Sequence, residues 1–177
     1  MPTFLDPPTI LDVEASGFGS NSYPIEIGVA RSDGARFCRL IRPFSSWSHW
    51  DDSAEQLHGI SRKLLAEYGA DPVLVCRELN TFMGDRTAYS DGWVVDHPWL
   101  IKLFAEAGVR MTFRLSALEY VLNEYQMHSW HDVKQRIHIP ECDARHRASV
   151  DAELIQKTFM ATREASDIAK QSQAGAG

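Results

Sequence analysis

Two carboxylates stand two residues apart in the apolar run Ile10-Leu11-Asp12-Val13-Glu14-Ala15-Ser16-Gly17. On a strand, side chains alternate between faces, so Asp12 and Glu14 project together while Leu11 and Val13 project the other way. Like charges held that close repel, and each is costly to bury unpaired. A divalent cation relieves both costs, and carboxylate oxygen is the ligand that hard ions such as Mg²⁺ and Mn²⁺ select. Ser16-Gly17 then ends the strand and lets backbone approach a ligand. A solvent-facing edge strand with two ordinary acids competes with this reading, and the stretch alone does not separate the two.

Three later segments carry residues of matching chemistry. His146 and Asp151 in His146-Arg147-Ala148-Ser149-Val150-Asp151 are five apart. On an ideal helix that spacing is about 140°. The two converge only if His146 sits on a loop and Asp151 in the opening turns of a helix. Val95-Asp96-His97-Pro98-Trp99-Leu100 puts an acid at the start of a helix, where the dipole favours it. Leu57-His58-Gly59-Ile60 adds a second histidine.

The surrounding pattern supplies elements to hold these residues. Strands are predicted at 9–15, 24–31 and 35–41, with Asp33-Gly34 turning the second into the third. Residues 53–68 show a helical pattern broken near Gly59. Asp71-Pro72 opens a helix that Gly84 ends. A short strand follows at 86–90, a loop at 91–96, and a helix from His97-Pro98 to Gly108. Ser116-Ala117-Leu118-Glu119 looks like a capping box for a helix through about Tyr125. Residues 126–145 have no clear pattern, and 147–165 form the last helix. Together these predict an α/β fold, a mixed sheet flanked by helices, with the first and most apolar strand at its centre. One domain is expected over 1–168, with a small polar tail at 169–177 expected to be disordered.

The chain has 177 residues, 44% apolar and 24% charged, as in ordinary soluble domains. A net charge of −6 argues against a broadly basic nucleic-acid-coating protein. It leaves room for a small site whose bound ions bring the positive charge. No apolar run is long enough to span a membrane. Residues 1–6 lack the basic and apolar regions of a secretory signal. Three widely spaced cysteines, Cys38, Cys76 and Cys142, form no disulfide framework, which makes a reducing cytoplasm the expected location.

In order and spacing, these segments resemble the DEDD 3′→5′ exonucleases, in the DEDDh subgroup with a catalytic histidine. That family includes polymerase proofreading subunits, ribonuclease T and oligoribonuclease. Asp12-Val13-Glu14-Ala15-Ser16-Gly17 resembles its first motif, and Ile25-Glu26-Ile27-Gly28 its second strand. His58-Gly59-Ile60 resembles its H-G-I segment. Asp96-His97-Pro98-Trp99-Leu100 resembles its second acidic motif, and His146 to Asp151, followed by Ala152, its third. The likeness spans residues 9 to about 160.

The resemblance implies a ribonuclease H-like fold of about five strands. It implies metal-dependent hydrolysis of the 3′-terminal phosphodiester of single-stranded DNA or RNA, releasing nucleoside 5′-monophosphates. Two Mg²⁺ or Mn²⁺ ions would be held by Asp12, Glu14, Asp96 and Asp151, with Asp12 bridging, and His146 would deprotonate the attacking water. Backbone at Ala15, Ser16 and Gly17 would meet the terminal nucleotide, with Phe18 and His58 as further contacts. Several members are dimers, so a homodimer is a candidate assembly.

Other assignments stay open at this level. Asp91 is the alternative to Asp96, although Asp91-Gly92 also suits a turn. Phe18, Tyr23 and Trp93 are candidates for base stacking, with plain packing as the equal alternative. Arg145 and Arg147 could meet phosphate or lie in solvent. His128, His131, His138 and Cys142 could be drawn as a zinc set, but their spacing fits no standard pattern. A catalytically silent nucleic-acid- or protein-binding module, or a nuclease cutting internally, would share the same fold.

Overall fold

Alternation along the first strand, β1 (Ile10–Ala15), feeds two of the three apolar clusters formed by the described residues. The computed structural model describes residues 6–137 and 147–174. In it β1 lies at the centre of a five-stranded mixed sheet of order β3-β2-β1-β4-β5. The other strands are β2 (Pro24–Ala30), β3 (Arg36–Leu40), β4 (Thr87–Ser90) and β5 (Arg114–Ala117). β2 runs antiparallel to β1 and to β3, whereas β4 runs parallel to β1 and to β5. The helices are α1 (Asp52–His58), α2 (Arg62–Tyr68), α3 (Pro72–Met83), α4 (Trp93–Glu106), α5 (Glu124–Arg136) and α6 (Ala148–Ala174).

Leu11 and Val13 point to the face covered by α3 and α4, where they join Ile27, Val29, Leu79 and Leu103 in a dry cluster. Ile10 points the opposite way, into a second cluster with Ala30, Ala152, Ile155 and Phe159 beneath α6. Each fully buried aliphatic side chain of this kind contributes about 1.5–3 kcal/mol. The two clusters therefore hold helices firmly on both faces of β1. Asp12 and Glu14 fall on the α6 face by the same alternation. In register, Asp12 lies opposite Gly28 and Glu14 opposite Glu26.

Helix starts follow local chemistry. Asp51 caps α1, Ser61 caps α2, and Asp71 caps α3 by accepting from Val73 N and Leu74 N. Gly59 ends α1 in the left-handed region at φ 68°.

Four boundaries differ from the sequence expectation. Helix α4 begins at Trp93, so residues 93–96 are helical and Pro98 sits inside the helix. The proline costs one backbone bond, to the carbonyl of residue 94. Ser116-Ala117 belongs to β5, and the following 3₁₀ turn (Leu118–Val121) carries no side-chain cap. The true capping box is Asn123 with Gln126, and it starts α5 in the stretch without clear pattern. Helix α6 runs on to Ala174, past residue 168 and into the segment expected as a disordered tail. No glycine or proline interrupts it before Gly175. Among the described residues, no helix is long and apolar enough to cross a membrane.

Candidate metal centre and groove

The carboxyl ends of β1 and β4, the start of α4 and the side of α5 and α6 enclose a groove of about 870 Å³. Crevices outside the carboxyl ends of parallel strands are the usual ligand sites of α/β sheets. Asp12 and Glu14 reach the groove from β1 and Asp151 from the first turn of α6. One carboxylate oxygen from each of these three lies within 4.8 Å of the other two.

Two devices bring Asp151 there. Gly28 lets the α6 backbone lie directly on β2, since a Cβ at that position would stand 2.1 Å from Ala148 C and Ser149 N. Fully buried Glu26 holds the helix start. Its carboxylate accepts from Ala148 N at 2.9 Å and from Arg147 Nε at 3.0 Å, with Arg147 Nη2 at 2.5 Å. This is a helix N-cap supplied by a neighbouring strand together with a half-buried ion pair. Arg147 is paired with Glu26, and its side chain keeps 31% of its exposure.

Asp96 is 2% exposed in the first turn of α4. Its Oδ2 accepts from the Ser90 hydroxyl, and Ser90 Oγ accepts in turn from Gly92 N at 2.9 Å. A side chain on Gly92 would press against that carboxylate, its Cβ lying 3.2 Å from Oδ2. Asp91 is directed elsewhere, to Lys134 Nζ of α5 at 2.6 Å.

Crowding of the acids shows in their proton affinity. Withdrawal from water, then the charges of Asp96, Glu14 and Asp151, hold the Asp12 carboxyl well above the usual range. Glu14 is pushed up to about 8 by loss of solvent, with Asp151 and Glu26 adding to the shift. Asp96 is raised to about 7, again chiefly by desolvation, although the Ser90 hydrogen bond opposes it. Such a cluster fits a hard divalent cation, which would replace the lost solvation and neutralise the repulsion.

A stability prediction follows. Glu14 rises from 4.5 to about 8 and Asp96 from 3.8 to about 7 on folding. The folded state therefore binds protons that the unfolded state has released, and stability falls as pH rises through this window. His58, lowered by burial from 6.5, acts in the opposite sense only below that pH. Between about pH 6.5 and about pH 8, melting in EDTA is expected at progressively lower temperature. Mg²⁺ or Mn²⁺ is expected to restore more stability at the upper end, because the ligands must be deprotonated to bind. At about 100 times its dissociation constant an ion adds about 2.7 kcal/mol. A melting temperature in EDTA that climbs over this interval would contradict the assignment.

Other sequence candidates divide. Ala15, Gly17, Phe18 and His58 line the groove. Gly17, at φ 146°, leaves room for Asp51 and His49, whose atoms would stand 2.7 and 2.8 Å from a Cβ there. Phe18 is 70% exposed and lies 6.3 Å from the Trp99 ring. His58 Nδ1 accepts from Ile60 N at 3.0 Å, which places its proton on Nε2. That buried Nε2 makes no hydrogen bond within the usual limits among the described residues, but the Ala15 backbone beside it raises the ring's proton affinity against the effect of burial.

Ser16 turns away from the groove. It is 1% exposed, its N donates to Tyr23 O, its O accepts from Asp51 N, and its hydroxyl accepts from Tyr23 N. Tyr23 packs in the core, stacked on Trp47 at 5.0 Å. Trp93 stacks on His97 and donates to Leu115 O, outside the groove lining. His146 and Arg145 lie outside the described residues, as do His138 and Cys142 of the drawn zinc set, while His128 and His131 are exposed.

Sequence patterns gave no warning of the α5 wall, where His131, Lys134 and Gln135 line the groove. The signal that could have found it is Asn123-x-x-Gln126, a capping pattern outcompeted by Ser116-x-x-Glu119.

No family model matches this chain, and no curated protein matches it in sequence. In structure it is similar to E. coli exonuclease I. Against the zinc-ion-bound complex with single-stranded DNA the TM-score is 0.63 at 14% identity, over 88% of this chain and 40% of that one. Against the complex with a dA16 oligonucleotide it is 0.61 at 15% identity, over 88% and 40%. Against the product-bound exonuclease I it is 0.58 at 15% identity, over 89% and 43%. The chain spans about two fifths of the length of these structures. Its five-stranded mixed sheet with helices on both faces is the ribonuclease H-like fold that it shares with exonuclease I.

Proposed function

We propose that this protein is a metal-dependent 3′→5′ exonuclease acting on single-stranded DNA or RNA. The observation that carries the proposal is the convergence of Asp12, Glu14 and Asp151 within 4.8 Å at a groove on this fold. Acids that crowd and desolvate one another cost stability, so a function that uses a cation is the economical explanation of their presence. The likeness to complexes of exonuclease I with single-stranded DNA supports the substrate class.

In this reading Asp12, Glu14 and Asp151 hold one Mg²⁺ or Mn²⁺, and Asp12 and Asp96 help hold a second. Such ions supply acidification of water and stabilisation of charge on the phosphate and leaving oxygen. Ser90 orients Asp96 by its hydrogen bond. Glu26 fixes the start of α6 and so the distance of Asp151 from β1. His146, adjacent in sequence to the pinned Arg147, takes the proton of the attacking water, a role to which an imidazole side chain is suited. The Nε2–H of His58 donates to the terminal sugar or base, and the exposed Phe18 ring stacks on a base. Backbone at Ala15 and Gly17 lets the terminal nucleotide approach closely.

The test is a time course on matched 5′-labelled RNA and DNA oligonucleotides with Mg²⁺, with Mn²⁺ and with EDTA. A ladder shortening from the 3′ end and stopped by EDTA is expected, and a circular single strand should stay intact. Binding without any shortening would instead support a silent binding module, and cutting of the circle would support an internal nuclease.

A further inference from the structure

Asp91 and Lys134 remain without a part in that scheme. Lys134 is the one lysine or arginine among the described residues that line the groove, against five carboxylates. Its Nζ lies 2.6 Å from Asp91 Oδ2 and joins α5 to the turn between β4 and α4. Both side chains keep contact with solvent, at 31% and 27% exposure. An ion pair of that kind is weak. A phosphate oxygen offers Lys134 a charge-assisted bond of at least equal strength.

We propose that Lys134 is a phosphate ligand for the bound strand, kept in reserve by Asp91 until the polyanion takes it over. This rests on the nuclease reading above. His131 and Gln135 stand on the same face of α5, three residues before and one after Lys134, and both line the groove. The contact is to backbone phosphate and therefore carries no base preference; it adds affinity and salt dependence.

The test measures binding of 5′-labelled oligothymidylate and oligouridylate whose 3′-terminal linkage is a hydrolysis-resistant phosphorothioate, in Mg²⁺, over a range of KCl. Cleavage of the unmodified strands by the wild type is followed in parallel. Lys134→Gln is expected to bind about fivefold more weakly at about 0.1 M salt and to lower the salt slope by about 0.7, the effect of one lost contact on a single strand. Asp91→Asn is expected to do the reverse and bind more tightly, because it releases Lys134. In the double variant the gain from Asp91→Asn should vanish.

An unchanged slope in Lys134→Gln would overturn the proposal while wild-type cleavage still upheld the nuclease reading. Equal weakening by both single variants would mark the pair as a structural strap. A gain from Asp91→Asn that survived in the double variant would show that Asp91 acts by its own charge, which also overturns it. Wild-type protein that neither cuts nor binds would remove the nuclease reading and this proposal together.

Discussion

Asp12→Asn is expected to lower exonuclease turnover by about 10³-fold or more and, in EDTA, to make the protein melt at a higher temperature. These opposite signs distinguish a residue kept for chemistry from one kept for folding. Asp12 is withdrawn from water and feels the charges of Asp96, Glu14, Asp151 and Asp91. Asparagine keeps its size and shape but has no charge to withdraw from water and no proton to hold above the ordinary carboxyl range. A gain of about 1 kcal/mol corresponds to about 2–4 °C for a chain of this length. The loss of rate has a separate cause. Removing one preorganised electrostatic group from a reacting centre already costs about 10²–10³, and Asp12 is proposed to serve two ions. Differential scanning fluorimetry with and without Mn²⁺, beside the nuclease time course, reads both effects. The variant should also lose most of the Mn²⁺-induced rise in melting temperature. A variant that melted lower in EDTA and kept its activity would show Asp12 to be structural.

Much of this centre is legible in the sequence because its signals are local. Period-two alternation is enough to put Asp12 and Glu14 on one face, and the apolar run around them is enough to put their strand at the middle of the sheet. Asp151 is legible as a residue of the last helix. What positions it is not. Glu26 and Gly28 look like ordinary members of a second strand, and only the register with β1 reveals that they face the start of α6. The sequence separation between Glu26 and Ala148 exceeds any window in which a pattern can be read. Boundaries failed where two local rules competed. Pro98 suggested a helix start because proline favours the first turn, yet α4 had begun at Trp93 and placed Asp96 in its first turn. Ser116-x-x-Glu119 and Asn123-x-x-Gln126 are equally good capping patterns, and pairing of β5 with β4 decided between them. With α5 unread, the sequence does not show Lys134 or its hold on Asp91.

Gly28→Ala is expected to be the most damaging single change outside the acids themselves. The added methyl would meet helix backbone: Ala148 C and Ser149 N at 2.1 Å and Ala148 O at 2.3 Å. Backbone cannot rotate out of the way as a flexible side chain can, so the start of α6 must retreat by more than about 1 Å, since ordinary carbon contacts begin at about 3.5 Å. Three consequences share that one displacement. The Ala148 N hydrogen bond to Glu26 lengthens and leaves a buried carboxylate less satisfied. Overpacking of this sort costs about 1–3 kcal/mol. Asp151, three residues further along α6 than Ala148, moves away from Asp12 and Glu14. A misplacement of about 1 Å at a reacting centre can cost about 10²-fold in rate. The change should appear in kcat and in Mn²⁺ affinity more than in KM, because the strand contacts on β1 and α1 are untouched. Hydrogen exchange should quicken at the first turn of α6 while the β1 amides stay protected. Wild-type stability with lost activity would mean that the helix had yielded without strain. Wild-type activity in Gly28→Ala would refute the dependence of the three-acid cluster on the contact between β2 and α6.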